Sequence, residues 1–264
     1  MNVLQYKHHE DAVRELVRRF ENEDGVVAVV LGGSVAKGTA RPDSDIDAAV
    51  VVTDAKHREL EARGRVAECV SGCGYEGGYF DIKYCTAGYL RAAAEGGSEP
   101  SRNAFAGARC LFSRDAEIPA LVARIPVYPR HEKDEKMLSF YSAFALNEGY
   151  LWSVSDNPYM RVRTAADIVL FGLRLLLAER EVLFPCQRRL CATVRGLGPE
   201  CRGAADKADA FLARMDDASK EEFKTALSAV LRYRVPEDFS TVLSRFVADW
   251  ELWWHEKRPL VAEW

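Results

Sequence analysis

The sequence predicts an α/β domain followed by an all-α helical bundle. Three observations carry that reading. The first 125 or so residues alternate helix-period segments with short apolar, strand-like runs. Pro126, Pro129 and the charged stretch 131–136 then interrupt the pattern. Beyond them almost every apolar repeat has helical period. The 264 residues suffice for two modest domains with their own cores, and the expected division is 1–128 and 129–264.

Each element follows in order from its residues. Positions 9–22 place Ala12, Val13, Leu16, Val17 and Phe20 on one helical face, and Gly25 ends that helix. The apolar runs 26–31 and 46–52 read as buried strands separated by a Gly-Ser loop. Positions 56–70 read as a helix through Leu60, Ala67 and Val70, and glycines 72, 74, 77 and 78 mark a turn region. In 79–85, Phe80, Ile82 and Tyr84 alternate with Asp81 and Lys83, the signature of a strand with two unlike faces. Thr86 can cap a helix that Gly96-Gly97 terminates. A helix near 101–109, a short strand-like segment at 110–112 and a helix around 115–124 complete the first half. In the second half, 136–151, 160–179, 204–215, 220–232 and 239–255 are the expected helices.

Composition excludes several classes of protein. A hydrophobic fraction of 48% and a mean hydropathy of −0.20 describe a globular chain. No apolar run approaches the ~18 residues of a membrane span, and the first ten residues lack the basic and apolar regions of a signal peptide. The seven cysteines show no zinc-type pairing, since Cys69 and Cys73 have no matching His/Cys pair downstream. Scattered thiols fit a reducing cytoplasm. The net charge of −4 is evenly spread, with 16 basic and 19 acidic residues in 1–129 and 20 and 21 in 130–264. A partner of long nucleic acid is not expected from so balanced a chain.

One stretch concentrates chemistry: Leu-Gly-Gly-Ser-Val-Ala-Lys-Gly-Thr-Ala-Arg-Pro-Asp-Ser-Asp-Ile-Asp, residues 31–47. Gly32 and Gly33 let backbone approach a phosphate, and the Ser34 hydroxyl with neighbouring N–H groups can cradle an anion. Asp45 and Asp47, two apart, project from one face while Ile46 enters the core. Two carboxylates on one face repel unless a cation joins them, and hard oxygen ligands select Mg²⁺, with Mn²⁺ as the alternative. Asp81, on a later strand, can join the same metal or take a proton from a hydroxyl if the strands are neighbours. Singly, each feature reads as a loop, a solvated turn or a surface pair with Lys83. Their order, with the Asp pair entering a buried strand, argues for one site where in-line nucleotidyl transfer expels pyrophosphate.

Including Ala36, Gly38, Arg41 and Ser44, the stretch resembles the signature of the polymerase-β-type nucleotidyltransferase superfamily. A catalytic domain with a helical domain behind it resembles the aminoglycoside and lincosamide nucleotidyltransferases. The resemblance implies a mixed sheet flanked by helices, a catalytic domain at 1–128 and an acceptor-binding helical domain at 129–264. It implies two Mg²⁺ ions and transfer of AMP from ATP, or of another NMP, to a hydroxyl of a small molecule such as an aminoglycoside or lincosamide antibiotic. Carried over by position, Gly33, Ser34, Lys37, Arg41 and Ser44 would meet the nucleotide. Asp45, Asp47 and Asp81 would be the metal-binding and catalytic carboxylates. Several antibiotic-modifying relatives carry Glu at the base position, where this chain has Asp81. The signature covers about residues 26–52, extended to 85 by Asp81.

Other residues invite both functional and structural readings. Glu148 is an alternative base or substrate ligand, and a solvated helix residue otherwise. Arg161, Arg163, Arg188 and Arg189 could meet a triphosphate or form surface ion pairs. Phe246, Trp250, Trp253 and Trp254 read as a core stripe on a terminal helix. His8 and His9 read as surface residues. Two further functions compete with the first: protein-directed AMP transfer of the antitoxin type, and a nucleotide-binding regulator without catalysis. A homodimer is left open.

Overall fold

The computed structural model of the chain describes residues 4–255, 260–262 and 264. Its contacts divide it into two compact units, Met1–Gly97 with Ser101–Val127, and Ser98–Pro100 with Tyr128–Trp264.

The first unit holds α1 (Lys7–Phe20), β1 (Val26–Leu31), α2 (Gly33–Lys37), β2 (Ile46–Val52), α3 (Asp54–Ala62) and β3 (Ala67–Val70). β4 (Phe80–Thr86), α4 (Ala87–Gly96), β5 (Arg109–Ser113) and α6 (Glu117–Arg124) follow, while α5 (Glu99–Ala104) is divided, its Glu99 and Pro100 belonging to the second unit. The strands form one five-stranded mixed sheet in the order β3-β4-β2-β1-β5. Only β2 and β4 run parallel, joined by a crossover, while the other neighbours are antiparallel. The expected mixed sheet and the helical region after it are both observed.

Both faces of the sheet are covered, which is why β1 and β2 read as continuous apolar runs. Leu16 and Phe20 of α1 pack on Val29, Leu31, Ile46, Val50 and Phe80 of one face. Leu90 of α4 and Ile118, Leu121 and Val122 of α6 pack with Ala28, Val30, Val51 and Cys85 of the other. Thr86 caps α4 as expected, its hydroxyl accepting from the Tyr89 amide at 3.1 Å.

The segment 56–70 departs from expectation. The helix ends at Ala62, Gly64 takes the left-handed conformation at φ +65°, and the chain returns as β3. β3 is an edge strand whose Ala67 and Cys69 are exposed, so it lacks the apolar alternation that marks a strand in sequence. α3 buries no residue and left only a weak signal of its own. His9 also departs: it is fully buried, not on the surface.

The second unit holds α7 (Lys133–Tyr150), α8 (Pro158–Glu179), α9 (Leu190–Arg195), α10 (Pro199–Arg214), α11 (Asp217–Val230) and α12 (Phe239–Trp250). Its core is built from Phe140, Phe171, Phe184, Phe211 and Phe223. Gly172 admits the Phe223 ring, since a Cβ there would lie 2.9 Å from its Cζ. Glu99 is buried in this unit and accepts from Lys136 Nζ at 3.1 Å and from the Phe184 amide at 2.6 Å. Arg174 lies 3.6 Å from the same carboxylate, its guanidinium over the rings of Phe140 and Phe184. The aromatic stripe is shorter than expected. Trp250 packs on Phe171 and Phe246, but α12 ends there and Trp254 is largely exposed.

Candidate active site

The parallel pairing of β2 with β4 builds the site. Asp47 is the register partner of Asp81, so residues 34 apart in sequence become direct neighbours on one face. Val51 and Cys85 lie further along that face and are buried beneath α4 and α6, whereas Asp47 and Asp81 stay partly exposed. Asp45 stands one residue before β2. The three carboxylates each offer an oxygen, all within 4.8 Å of one another.

The loop before β2 is set by glycine. Gly32 N–H donates to the Asp47 carbonyl at 2.9 Å. Gly33 has φ +62°, and a Cβ on it would fall 1.7 Å from Asp47 Oδ2. Its neighbour Ser34 lies in the short helix α2, which is anchored by buried Val35 and Ala36 and closed by Gly38 at φ +71°. The loop backbone at Gly32 and Gly33 and the Asp47 carboxylate are thereby brought together.

The electrostatics are those of an acidic site short of positive charge. Burial and the Asp45 charge, with a smaller contribution from Asp81, push the Asp47 carboxyl above the usual carboxylate range. Lys83, two residues beyond Asp81 on the same face, donates to Asp81 Oδ2 at 2.9 Å. Burial opposes its charge, but Asp81, Asp47 and Asp45 together raise its pKa. Asp81 therefore has both partners anticipated for it, the metal-type pair and the lysine. Tyr79 brings a phenol near the Asp45 side chain, which raises the phenol's pKa. Nothing in its spacing distinguished Tyr79 from an ordinary strand residue.

The remaining expected nucleotide contacts are engaged elsewhere. Lys37 Nζ donates to the Asn103 carbonyl and side-chain oxygen at 3.1 and 3.3 Å. Arg41 pairs with Asp43 at 3.1 Å, and Ser44 Oγ accepts from the Arg41 amide at 2.9 Å. In the helical unit, Glu148 accepts from Lys224 at 2.9 Å and lies 3.3 Å from Lys220. Burial alone would raise its pKa, but the two lysines hold it below the usual range. Arg163 pairs with Asp167 at 2.7 Å, and Arg161 donates to the Met215 carbonyl at 2.9 Å.

Residues 13–75 match the family model described as "Nucleotidyltransferase domain". The chain carries a nucleotidyltransferase domain. The matched segment holds Gly33, Ser34, Asp45 and Asp47 and stops short of Asp81. The expected polymerase-β-type superfamily and the expected enzyme class, a nucleotidyltransferase, are borne out. No curated protein matches the chain.

Among solved structures, this nucleotidyltransferase is similar to a nucleotidyltransferase-like protein from Exiguobacterium sibiricum 255-15. That likeness has 10% identity and a TM-score of 0.47, covering 90% of this chain and 76% of that one. It is also similar to spectinomycin adenyltransferase AAD(9) from Enterococcus faecialis, solved with ATP and spectinomycin. There the identity is 13% and the TM-score 0.33, covering 90% of this chain and 95% of that one. Both likenesses are too distant to assign an activity.

Proposed function

We propose that the protein is a Mg²⁺-dependent nucleotidyltransferase that moves AMP from ATP to a hydroxyl of a small molecule, releasing pyrophosphate. The convergence of Asp45, Asp47 and Asp81 within 4.8 Å on a nucleotidyltransferase domain carries the reading.

The donor set fits a hard divalent cation. It consists of carboxylate oxygens alone, and burial and mutual repulsion at Asp47 disfavour three bare negative charges. Asp45, Asp47 and Asp81 would hold Mg²⁺, with two ions expected and Mn²⁺ as a substitute. The cation supplies positive charge beside the reacting phosphate.

The chain's own residues do the rest. Gly33 and Ser34 bring backbone and a hydroxyl to the triphosphate, close beside Asp47. Lys37, Arg41 and Ser44 would serve the nucleotide by releasing their present partners or by bracing the loop. Asp81 accepts the proton of the acceptor hydroxyl as its oxygen bonds to the α-phosphorus. The bond from that phosphorus to the bridging oxygen breaks, and pyrophosphate leaves with the electron pair. Lys83 holds the Asp81 carboxylate in place through its hydrogen bond to Oδ2.

The acceptor is a small, hydroxylated molecule, of which aminoglycoside and lincosamide antibiotics are the model class. Balanced charge in both halves disfavours long nucleic acid, and the helical unit, which follows the catalytic one in sequence, offers an acceptor-binding domain.

Purified protein with Mg²⁺ and labelled ATP, CTP, GTP or UTP, offered an acceptor panel, tests this directly. Mass spectrometry should find a small molecule heavier by one nucleotide, lost in Asp45→Asn and Asp47→Asn. A nucleotide found on a protein instead would replace the acceptor class, and transfer undiminished in both variants would remove the site.

A further inference from the structure

We propose that Tyr75 is a positioning residue for Asp45. With His8 and His9 it grips the loop 41–45, and so sets where the first carboxylate enters the site. The inference rests on the function proposed above.

Asp45 precedes the sheet. The register of β2 with β4 begins at Ile46 opposite Phe80, and the Ile46 amide donates to the Tyr79 carbonyl at 2.9 Å. The backbone before it has no ladder and needs other anchors. Tyr75 Oη supplies one, donating to the Ser44 carbonyl at 2.6 Å, one residue from Asp45. His8 Nε2 supplies another, 2.9 Å from the Pro42 carbonyl. Between these points the loop braces itself. Ser44 Oγ accepts from Arg41 N at 2.9 Å, and Ser44 N donates to Arg41 O at 3.1 Å. A braced turn held at two carbonyls shifts as a body, carrying Asp45 with it.

The grip is built from rings. His8 and His9 have centroids 4.4 Å apart, and Tyr75 lies 4.5 Å from His8 and 5.2 Å from His9. The fully buried His9 ring faces the Pro42 and Ser44 carbonyls without a close hydrogen bond to either. Rings of few rotatable bonds make stiff supports.

Glycines in the turn 72–78 bring the two sides together. A Cβ on Gly78 would stand 2.4 Å from Tyr75 Cε2, and one on Gly77, already at φ +76°, 3.3 Å from Asp43 Cβ. Side chains there would drive Tyr75 off the loop. An apolar anchor alone would be met by phenylalanine at position 75. The hydroxyl adds the bond to the residue before Asp45, alongside its interaction with the neighbouring Cys73 thiol.

Tyr75→Phe removes that bond and keeps the ring. Mn²⁺ binding to the full chain, read by electron paramagnetic resonance without nucleotide, should weaken about tenfold, the effect expected of an outer support to a metal ligand. The acceptor KM should stay unchanged while kcat falls by a similar factor. Gly78→Ala, which displaces the ring from the other side, should reproduce both changes. Ile118→Val, in the core cluster that does not include Tyr75, should lower Tm and leave Mn²⁺ affinity alone. If Tyr75→Phe and Gly78→Ala bind Mn²⁺ like wild type, or weaken no more than Ile118→Val, the inference is wrong. If wild type fails to bind Mn²⁺, or Asp47→Asn binds it equally well, the proposed function itself falls.

Discussion

Gly33 and Asp47 share a space that only glycine leaves free. The carboxylate oxygen Oδ2 lies where a Cβ on residue 33 would be, 1.7 Å from its built position. Loop and strand are interlocked there, because the Gly32 amide also donates to the Asp47 carbonyl. The phosphate-type loop and the metal-type carboxylate are one structural unit.

Gly33→Ala should therefore strike activity harder than stability. A left-handed alanine costs on the order of 1–2 kcal/mol, whereas moving a reacting group by ~1 Å can cost about 100-fold in rate. Gly64→Ala, at φ +65° with open space around it, carries the same backbone cost away from the site. Turnover and Tm measured side by side should separate the two. Equal rates in both variants would show that Asp47 moves aside harmlessly.

Asp47 makes the metal-free fold pH-dependent. Its carboxyl holds its proton more tightly folded than unfolded, where 3.8 is the ordinary value. The stabilising contribution is full below the unfolded value and is lost as pH rises through the folded one. In EDTA at pH 7, Asp47→Asn should melt above wild type, and the gap should close as pH falls towards 4. Mg²⁺ should raise the Tm of wild type and not of the variant. A variant that melts below wild type across this range would contradict the assignment.

Two acidic residues compete for the base role, and they differ in what holds them. Glu148 is committed to Lys220 and Lys224 and is held below the usual range, which makes it a weak base near neutrality. Asp81→Asn should lower kcat by about 10²–10⁴-fold, and Glu148→Gln should leave it near wild type. Steady-state kinetics with saturating nucleotide decide, and the reverse pattern would move the base to the helical unit.

Glu99 should matter to folding. It is 1% exposed, with Lys136 and Arg174 as its charged partners. Removing one member of a buried charged set leaves the others uncompensated, at a cost of about 3–5 kcal/mol. Urea unfolding of Glu99→Gln should show a loss of that size, and one below about 1 kcal/mol would place the pair among weak surface interactions.

What was legible in the sequence was local. β1 and β2 announce themselves because both faces of each strand are covered, so every position tends to be apolar. β3 did not, because an edge strand can leave Ala67 and Cys69 in solvent and needs no pattern. His9 was misplaced for a related reason. Its burial depends on Tyr6, His8 and Tyr75 closing around it, and Tyr75 lies 66 positions away.

The chemistry proposed for the 31–47 stretch is readable from its residue types alone. A loop that hugs phosphate and a pair of same-face carboxylates need fixed residue types at short spacing, and such spacing survives in one dimension. That Asp81 stands beside Asp47 follows from the fold, because a parallel register between two strands joins residues that sequence keeps apart. The fold also decides that Lys83 pairs with that carboxylate, that Tyr79 reaches Asp45, and that Gly33 has Asp47 at its back. Those are relations between distant segments, set by how the core packs, and the packing is a property of the whole unit.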